Sequence, residues 1–357
     1  MHCLAYRRLK HKTQVFFNTQ NDHICTRMEH VNHVESVSYT IASYLGLNTE
    51  LTKAISVGHD LGHPPFGHEG ERILNDISKK YLKKEFWHEK NGLHFVDNIE
   101  LLEDTKRRLT NLGLTYAVRD GIISHCGEVS ENSVFPRDDY IDLYTFQSPN
   151  DFRPYTWEGC VVKIADKIAY IGRDLEDAAQ LRFIRRPELR ELTKLARNYG
   201  FESLNTTLFM HEIIKDLCNN STPKQGLNIS PKNIELIDLL GHYNNEYIYR
   251  NDRFTPYKAY VELVLTTIFE VLYNIYHNGD TLLHVYDLRN NYHELARDFY
   301  SWLGLYTNLI SSNIEPKNRI IYGSLETIEE YTRAIIDYIS GMTDQYAVKI
   351  FTEITRF

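Results

Sequence analysis

Apolar side chains recur along most of this chain at spacings of three and four residues, the period of a helix with one face turned inward. His30, Val34, Val37, Ile41 and Leu45 form one such stripe, which opens near Arg27 and is closed by Gly46. Leu51, Ile55 and His59 form a second, ended by Gly62 with Pro64-Pro65. The pattern predicts a short amphipathic helix at the start of residues 4–17, then a turn at Asn18–Asp22. Further helices are predicted from about Glu69 to Tyr81, within 85–104, from Leu114 to Cys126 and from Trp157 to Gln180. Pro136–Pro154 reads as a loop. Beyond Gln180 the helical period continues to the end, broken by a polar loop at Asn219–Lys232 and by looser stretches near 277–281 and 311–323. Alternation of period two is nearly absent, and there is no internal repeat. The expectation is an all-α fold with at most a small hairpin. Residues 1–180 would form a motif-bearing core, and 181–357 a helical part packed with it as one unit.

Two of these stripes carry groups that do not belong in an apolar face. His30 and His59 sit on inward faces, and His59 is followed at once by Asp60 at a helix end. Imidazole nitrogen and carboxylate oxygen are the donors that hold a divalent ion while leaving water on it. In the third stripe, Asp166, Tyr170 and Asp174 stand at i, i+4 and i+8 among Ile, Val and Ala, within roughly an 80° arc of the helix. A carboxylate in such a face costs several kcal/mol, about 3–5 if left alone, unless a cation or donors meet it. A metal at Asp166 would resolve that cost.

Composition narrows the classes. The 42% hydrophobic and 25% charged residues of the 357 are those of a globular protein with a large core. The net charge of −8 gives no global basic field for nucleic acid, although residues 1–30 carry a local +3 that is either an anion-binding patch or a solvated helix face. The five cysteines are scattered, with no Cys-x-x-Cys pair, and read as reduced thiols of a cytoplasmic protein. The basic first twelve residues lack the apolar run of a signal peptide, and no run of about 18 apolar residues predicts a membrane span.

The set His30, His59-Asp60 and Asp166 resembles the HD-domain metal-dependent phosphohydrolases. A longer series, in one order from residue 5 to about 350, is similar to the bacterial dGTPase or dNTP triphosphohydrolase family. It comprises Ala5-Tyr6-Arg7-Arg8, Thr26-Arg27-Met28-Glu29-His30, His59-Asp60-Leu61-Gly62-His63-Pro64-Pro65-Phe66-Gly67-His68-Glu69-Gly70-Glu71, Leu114 to His125, Ala165-Asp166-Lys167 with Tyr170 and Asp174, and Gly341-Met342-Thr343-Asp344. The resemblance implies an HD-domain helical core over 1–180. It also implies hydrolysis of a deoxynucleoside triphosphate, dGTP among them, to deoxynucleoside and intact triphosphate by water attack at the α-phosphorus.

The resemblance further assigns residues. His30, His59, Asp60 and Asp166 would hold one divalent ion, which an N/O donor set accepts as Mn, Mg, Fe, Co or Ni. His68 would protonate the leaving 5′-oxygen, with Glu71 orienting it, and His88 would meet the phosphates. Arg27 and Lys167 match phosphate contacts, Gln14 and Asp174 the pair on the sugar 3′-hydroxyl, and Tyr170 the wall that excludes a ribose 2′-hydroxyl. Family members also suggest a homo-oligomer that responds to an allosteric nucleotide or to single-stranded DNA. His63 is expected to support the metal loop and His125 to cap its helix. The chain departs from the family pattern at Gln345, where Arg is common, and matches it poorly over 181–240. Two other readings compete. One is a different HD-domain phosphohydrolase, a 5′-nucleotidase or a (p)ppGpp hydrolase, which needs the metal set but not His68, Glu71 or the sugar residues. The other is a nucleotide-binding sensor without turnover.

Overall fold

A computed structural model of the chain describes residues 1–17, 23–127, 133–200, 206–310 and 317–356. The turn expected at Asn18–Asp22 lies outside them, as do residues 311–316 of the looser C-terminal stretch. Helices dominate. In chain order they begin with α1 (Leu4–Arg8), α2 (Arg27–Leu45), α3 (Thr49–Gly58), α4 (Gly67–Leu82), α5 (His88–His94), α6 (Tyr116–Ile123) and α7 (Trp157–Gln180). There follow α8 (Arg186–Arg197), α9 (Thr206–Asn220), α10 (Pro231–Asn244) and α11 (Thr255–Tyr273). The chain ends with α12 (Thr281–Asp287), α13 (His293–Tyr306), α14 (Ile328–Ser340) and α15 (Asp344–Thr355). One small hairpin, within what the sequence allowed, is β1 (Leu101–Glu103) with β2 (Leu109–Asn111), antiparallel with Leu101 opposite Asn111. A second short antiparallel pair, β3 (Ser133–Val134) with β4 (Leu227–Asn228), arises from two segments that carry no strand pattern in the sequence.

The helices group into two compact units, each discontinuous in sequence. One comprises Gln14–Asp60 and Thr115–Tyr257, the other Met1–Thr13, Leu61–Leu114 and Lys258–Phe357. The chain passes between them four times, at Thr13–Gln14, Asp60–Leu61, Leu114–Thr115 and, within α11, Tyr257–Lys258.

In the first unit α7 is the axis, with α2, α3, α6, α9 and α10 packed on it. Its buried face runs from Cys160 through Ile164 and Ile168 to Ile171, all at most 2% exposed. Removing each aliphatic side chain of this face from water contributes about 1.5–3 kcal/mol to the unit's stability. The helix α2 begins with a capping box: Glu29 N–H donates to Thr26 Oγ1 at 3.3 Å, and Thr26 N–H donates to Glu29 Oε2 at 2.7 Å. It ends where Gly46 turns left-handed at φ 70°. The helices α3 and α6 approach so closely that a Cβ on Gly121 would lie 2.5 Å from the Ile55 side chain. That contact fixes the level of His59 at the end of α3.

In the second unit the loop 61–66 delivers the chain into α4 with two successive left-handed residues, Phe66 at φ 65° and Gly67 at φ 58°. Phe66 is not glycine, so this turn is strained and must be held from outside. Asp344 at the start of α15 does so. Its Oδ1 accepts from Phe66 N–H at 2.8 Å, and its Oδ2 from Thr13 N–H at 2.8 Å and from the Thr13 hydroxyl. Lys12 adds bonds to the His63 carbonyl and, at 3.1 Å, to the Ser340 carbonyl. Gly62 is a close approach: a Cβ there would fall 2.0 Å from His88 O and 2.1 Å from Gly92 N.

Candidate active site

In the α2–α3–α7 unit, the four residues expected to ligate a metal converge. His30 Nε2 lies 2.9 Å from Asp166 Oδ1 and 3.8 Å from Asp60 Oδ2. His59 Nε2 lies 3.8 Å from both Asp60 Oδ1 and Asp166 Oδ1. His59 is fully buried, and its Nδ1 is 2.6 Å from the Ser56 carbonyl, which assigns the proton to Nδ1 and leaves a lone pair on Nε2. That Nε2 atom has no hydrogen-bond partner among the described residues. A buried lone pair facing two carboxylates is unfavourable by itself and is satisfied by a cation between them, so this donor set fits a divalent ion.

The ionisation of the cluster obeys the same logic. Burial pushes the Asp166 carboxyl up, but the His30 hydrogen bond and the neighbouring imidazoles outweigh it and hold it at about 2. Burial pulls His30 down, and its bond to Asp166 with the Asp166 and Asp60 charges carries it above its ordinary value.

One member of this cluster goes beyond its expected role. His125 is a helix cap by sequence, and its Nδ1 does lie 2.7 Å from the Ile122 carbonyl at the end of α6. Its ring also packs edge-on against His59 at 4.9 Å, and its donor atoms lie within 4.8 Å of those of His59 and Asp166. The signal available in the sequence is its place at the end of an apolar helix, the same place that identifies His59.

Around this cluster stand residues expected to meet substrate. Arg27, 1% exposed, donates from Nη1 to Asp60 Oδ2 at 2.7 Å and from Nη2 to the Gln14 carbonyl at 3.5 Å. Lys167 Nζ is 3.8 Å from Asp238 Oδ1. Tyr170 and Asp174 come after Asp166 along α7. Asp174 is buried, and its Oδ2 accepts from the Tyr249 hydroxyl at 2.5 Å, a partner that the sequence does not disclose. Gln14 Oε1 is buried without a hydrogen-bond partner among the described residues.

In the other unit, α4 and α5 bring His68, Glu71 and His88 together with His63. His68 is the second residue of α4, so it shares a face with Glu71 one turn on, and Nδ1 lies 3.3 Å from Glu71 Oε2. The same carboxylate serves His88. Glu71 Oε1 accepts from the His88 backbone N–H at 2.7 Å and lies 3.0 Å from its Nδ1. The His63 ring stacks on His88 at 3.7 Å. Burial pushes Glu71 up, but the His88 charge and the bonds from His68 and His88 outweigh it and hold the carboxyl far below the usual carboxylate range. It is therefore an anion throughout the neutral range. His68 is open to solvent, with a side chain 71% exposed, whereas His88 is buried. The arrangement is a solvent-exposed imidazole held from behind by a fixed carboxylate.

Two family descriptions match parts of the chain. Residues 27–171 match the HD domain, and 313–353 match the phosphohydrolase-associated domain. A deoxyguanosinetriphosphate triphosphohydrolase-like protein of Caldanaerobacter subterraneus subsp. tengcongensis is 31% identical over 99% of this chain and 82% of its own length. Similarly named proteins of Rickettsia felis and Rickettsia bellii are 28% and 29% identical, again over 99% of this chain and 89% of each relative. No helix among the described residues is long and apolar enough to cross a membrane. With the HD-domain match, the buried His/Asp donor set and full-length similarity to these relatives, the chain belongs to the deoxyguanosinetriphosphate triphosphohydrolase-like family of HD-domain phosphohydrolases.

Proposed function

We propose that this protein hydrolyses deoxynucleoside triphosphates, dGTP among them, to deoxynucleoside and inorganic triphosphate. The observation that carries the reading is the buried His59 Nε2, which has no hydrogen-bond partner among the described residues and faces Asp60 and Asp166. It supports a resident divalent ion held by His30, His59, Asp60 and Asp166. When bound, such an ion lowers the pKa of water and offsets negative charge on phosphate oxygens. The reaction is the attack of water on the α-phosphorus, with cleavage of the bond to the 5′-oxygen.

In this reading His68 supplies a proton to the leaving 5′-oxygen from Nε2, while Glu71 holds Nδ1. His88 meets the phosphates, with Arg27 suited to bidentate contact and Lys167 to a point charge. Gln14 and Asp174 hydrogen-bond the sugar 3′-hydroxyl, the Asp174 carboxylate as its acceptor, and Tyr170 leaves no room for a 2′-hydroxyl. A different HD-domain hydrolase would have no use for the His68–Glu71 pair, which is why the triphosphohydrolase reading is preferred.

The test is product analysis. Purified protein with Mn²⁺ or Mg²⁺ is given each dNTP and rNTP, singly and in mixtures that would reveal an activating nucleotide, and the phosphorus products are resolved by ion exchange. Intact triphosphate from deoxynucleotides alone is the expected result. Orthophosphate or pyrophosphate as first product would refute the reaction. Bound nucleotide without turnover under every mixture would support a sensor instead.

A further inference from the structure

The expected sugar-binding carboxylate, Asp174, is buried on α7. A charged carboxylate in that position needs donors, and a mobile one would be a poor template for a single hydroxyl. The structure supplies a donor from an element remote in sequence. After α10 the chain makes a π turn over Asn245–Tyr249, with Arg250 N–H donating to Asn245 O at 3.1 Å. Such a turn adds one residue to the helical repeat and rotates the residues after it by about 100° from the α-helical course. At its end the Tyr249 hydroxyl donates to Asp174 Oδ2 at 2.5 Å.

The turn is registered on α7 at a second point. Asn244, 1% exposed, donates from Nδ2 to the Ile171 carbonyl at 2.9 Å, one helical turn before Asp174. Burial and the Asp174 charge hold the Tyr249 hydroxyl well above its ordinary value, so it is a permanent donor. The Tyr249 bond takes one of a carboxylate's roughly four acceptor sites.

We propose that Tyr249 is a positioning residue for sugar recognition: its hydroxyl fixes the Asp174 carboxylate in the orientation that receives the 3′-hydroxyl of a deoxynucleotide. The inference rests on the reading of Asp174 as a sugar contact and extends it to a residue outside every motif. Tyr249 acts through Asp174 and touches no reacting atom.

The experiment compares wild type and Tyr249→Phe on the best dNTP substrate and on its 2′,3′-dideoxy counterpart, reading kcat/KM for triphosphate release. Wild type is expected to favour the deoxy substrate. In Tyr249→Phe the deoxy-to-dideoxy ratio is expected to fall about tenfold, the scale of a hydrogen bond to a charged group, with most of the change in the deoxy substrate. Dideoxy turnover by the variant also reports that it folds. A purely structural role would lower both substrates together and leave the ratio in place, and that result overturns the inference. A wild-type ratio near one removes the sugar reading itself, and the inference with it. A wild-type preference that persists in Tyr249→Phe overturns the inference alone.

Discussion

Replacing Glu71 by Gln separates what that side chain does for the fold from what it does for turnover. Its two oxygens have different duties. Oε1 holds His88 through the backbone N–H at 2.7 Å and Nδ1 at 3.0 Å, and Oε2 holds His68 at 3.3 Å. Glutamine can keep its carbonyl on His88 and must then turn its amide toward His68. The two His88 bonds lose their charge assistance, which roughly halves them, about 0.5–1 kcal/mol each. The His68 bond is long and belongs to an exposed ring, so its loss adds little to stability. The net destabilisation is about 1–2 kcal/mol, measured by urea unfolding. Turnover should fall much further, by about 10²–10³-fold in kcat, because the proposed mechanism needs His68 held in orientation as the proton donor. Metal content should be unchanged.

A pH series on the same variant tests the electrostatic part. The folded Glu71 carboxyl is depressed, so its contribution is present above its ordinary value of 4.5 and is lost as the pH falls. The stability gap between wild type and Glu71→Gln is therefore present at pH 5 and narrows as the pH falls below that. A variant with kcat within threefold of wild type would remove Glu71 from the reaction, and a gap that widens in acid would refute the electrostatic account.

Asp166→Ala should abolish metal retention after chelation and reloading with Mn²⁺, read by elemental analysis, with the helical circular dichroism unchanged; retained stoichiometric metal would exclude Asp166 as a ligand. Asp344→Asn presents an amide to one of the backbone N–H groups that the carboxylate now serves, leaving a buried donor unpaired at about 1–3 kcal/mol, and a shift in unfolding free energy below about 0.5 kcal/mol would contradict the role assigned to this clamp. Burial raises the Asp177 carboxyl to about 6 although it accepts the Cys25 N–H at 2.9 Å. A raised acid stabilises the fold fully below its unfolded value and loses that contribution as the pH rises through 6, so wild type should lose up to about 3 kcal/mol from this group between pH 4 and 6, whereas Asp177→Asn should show a flatter profile in the same unfolding series.

The helices that carry the metal donors are legible in the sequence because each has a continuous apolar stripe with clear ends. The helix α7 spans the predicted Trp157–Gln180, and α2 starts at Arg27 behind its capping box. The pairing of His68 with Glu71 needs only their spacing and a helix that starts at Gly67. What is hidden is mostly non-local. Tyr249 carries no motif, and its bond to Asp174 spans 75 residues. The strands β3 and β4 are two residues each and pair across a long interval, so neither shows a period of its own. The second bond of Glu71, to His88, depends on how α5 lies against Gly62, which hydropathy does not encode. His125 is hidden differently. Its capping bond is predictable, and its place beside His59 depends on the close approach of α3 to α6.

The clamp on the loop before α4 joins Thr13 to Asp344, 331 residues apart. During synthesis the amino-terminal half of that clamp leaves the ribosome long before its partner exists. At about 5–20 residues per second, the interval is roughly 17–66 s. Until then the Phe66 N–H has only water as its acceptor, and the helix that carries His68 and Glu71 lacks the Asp344 anchor. A nascent or prematurely terminated chain can therefore carry every histidine of the motif and still lack this anchor.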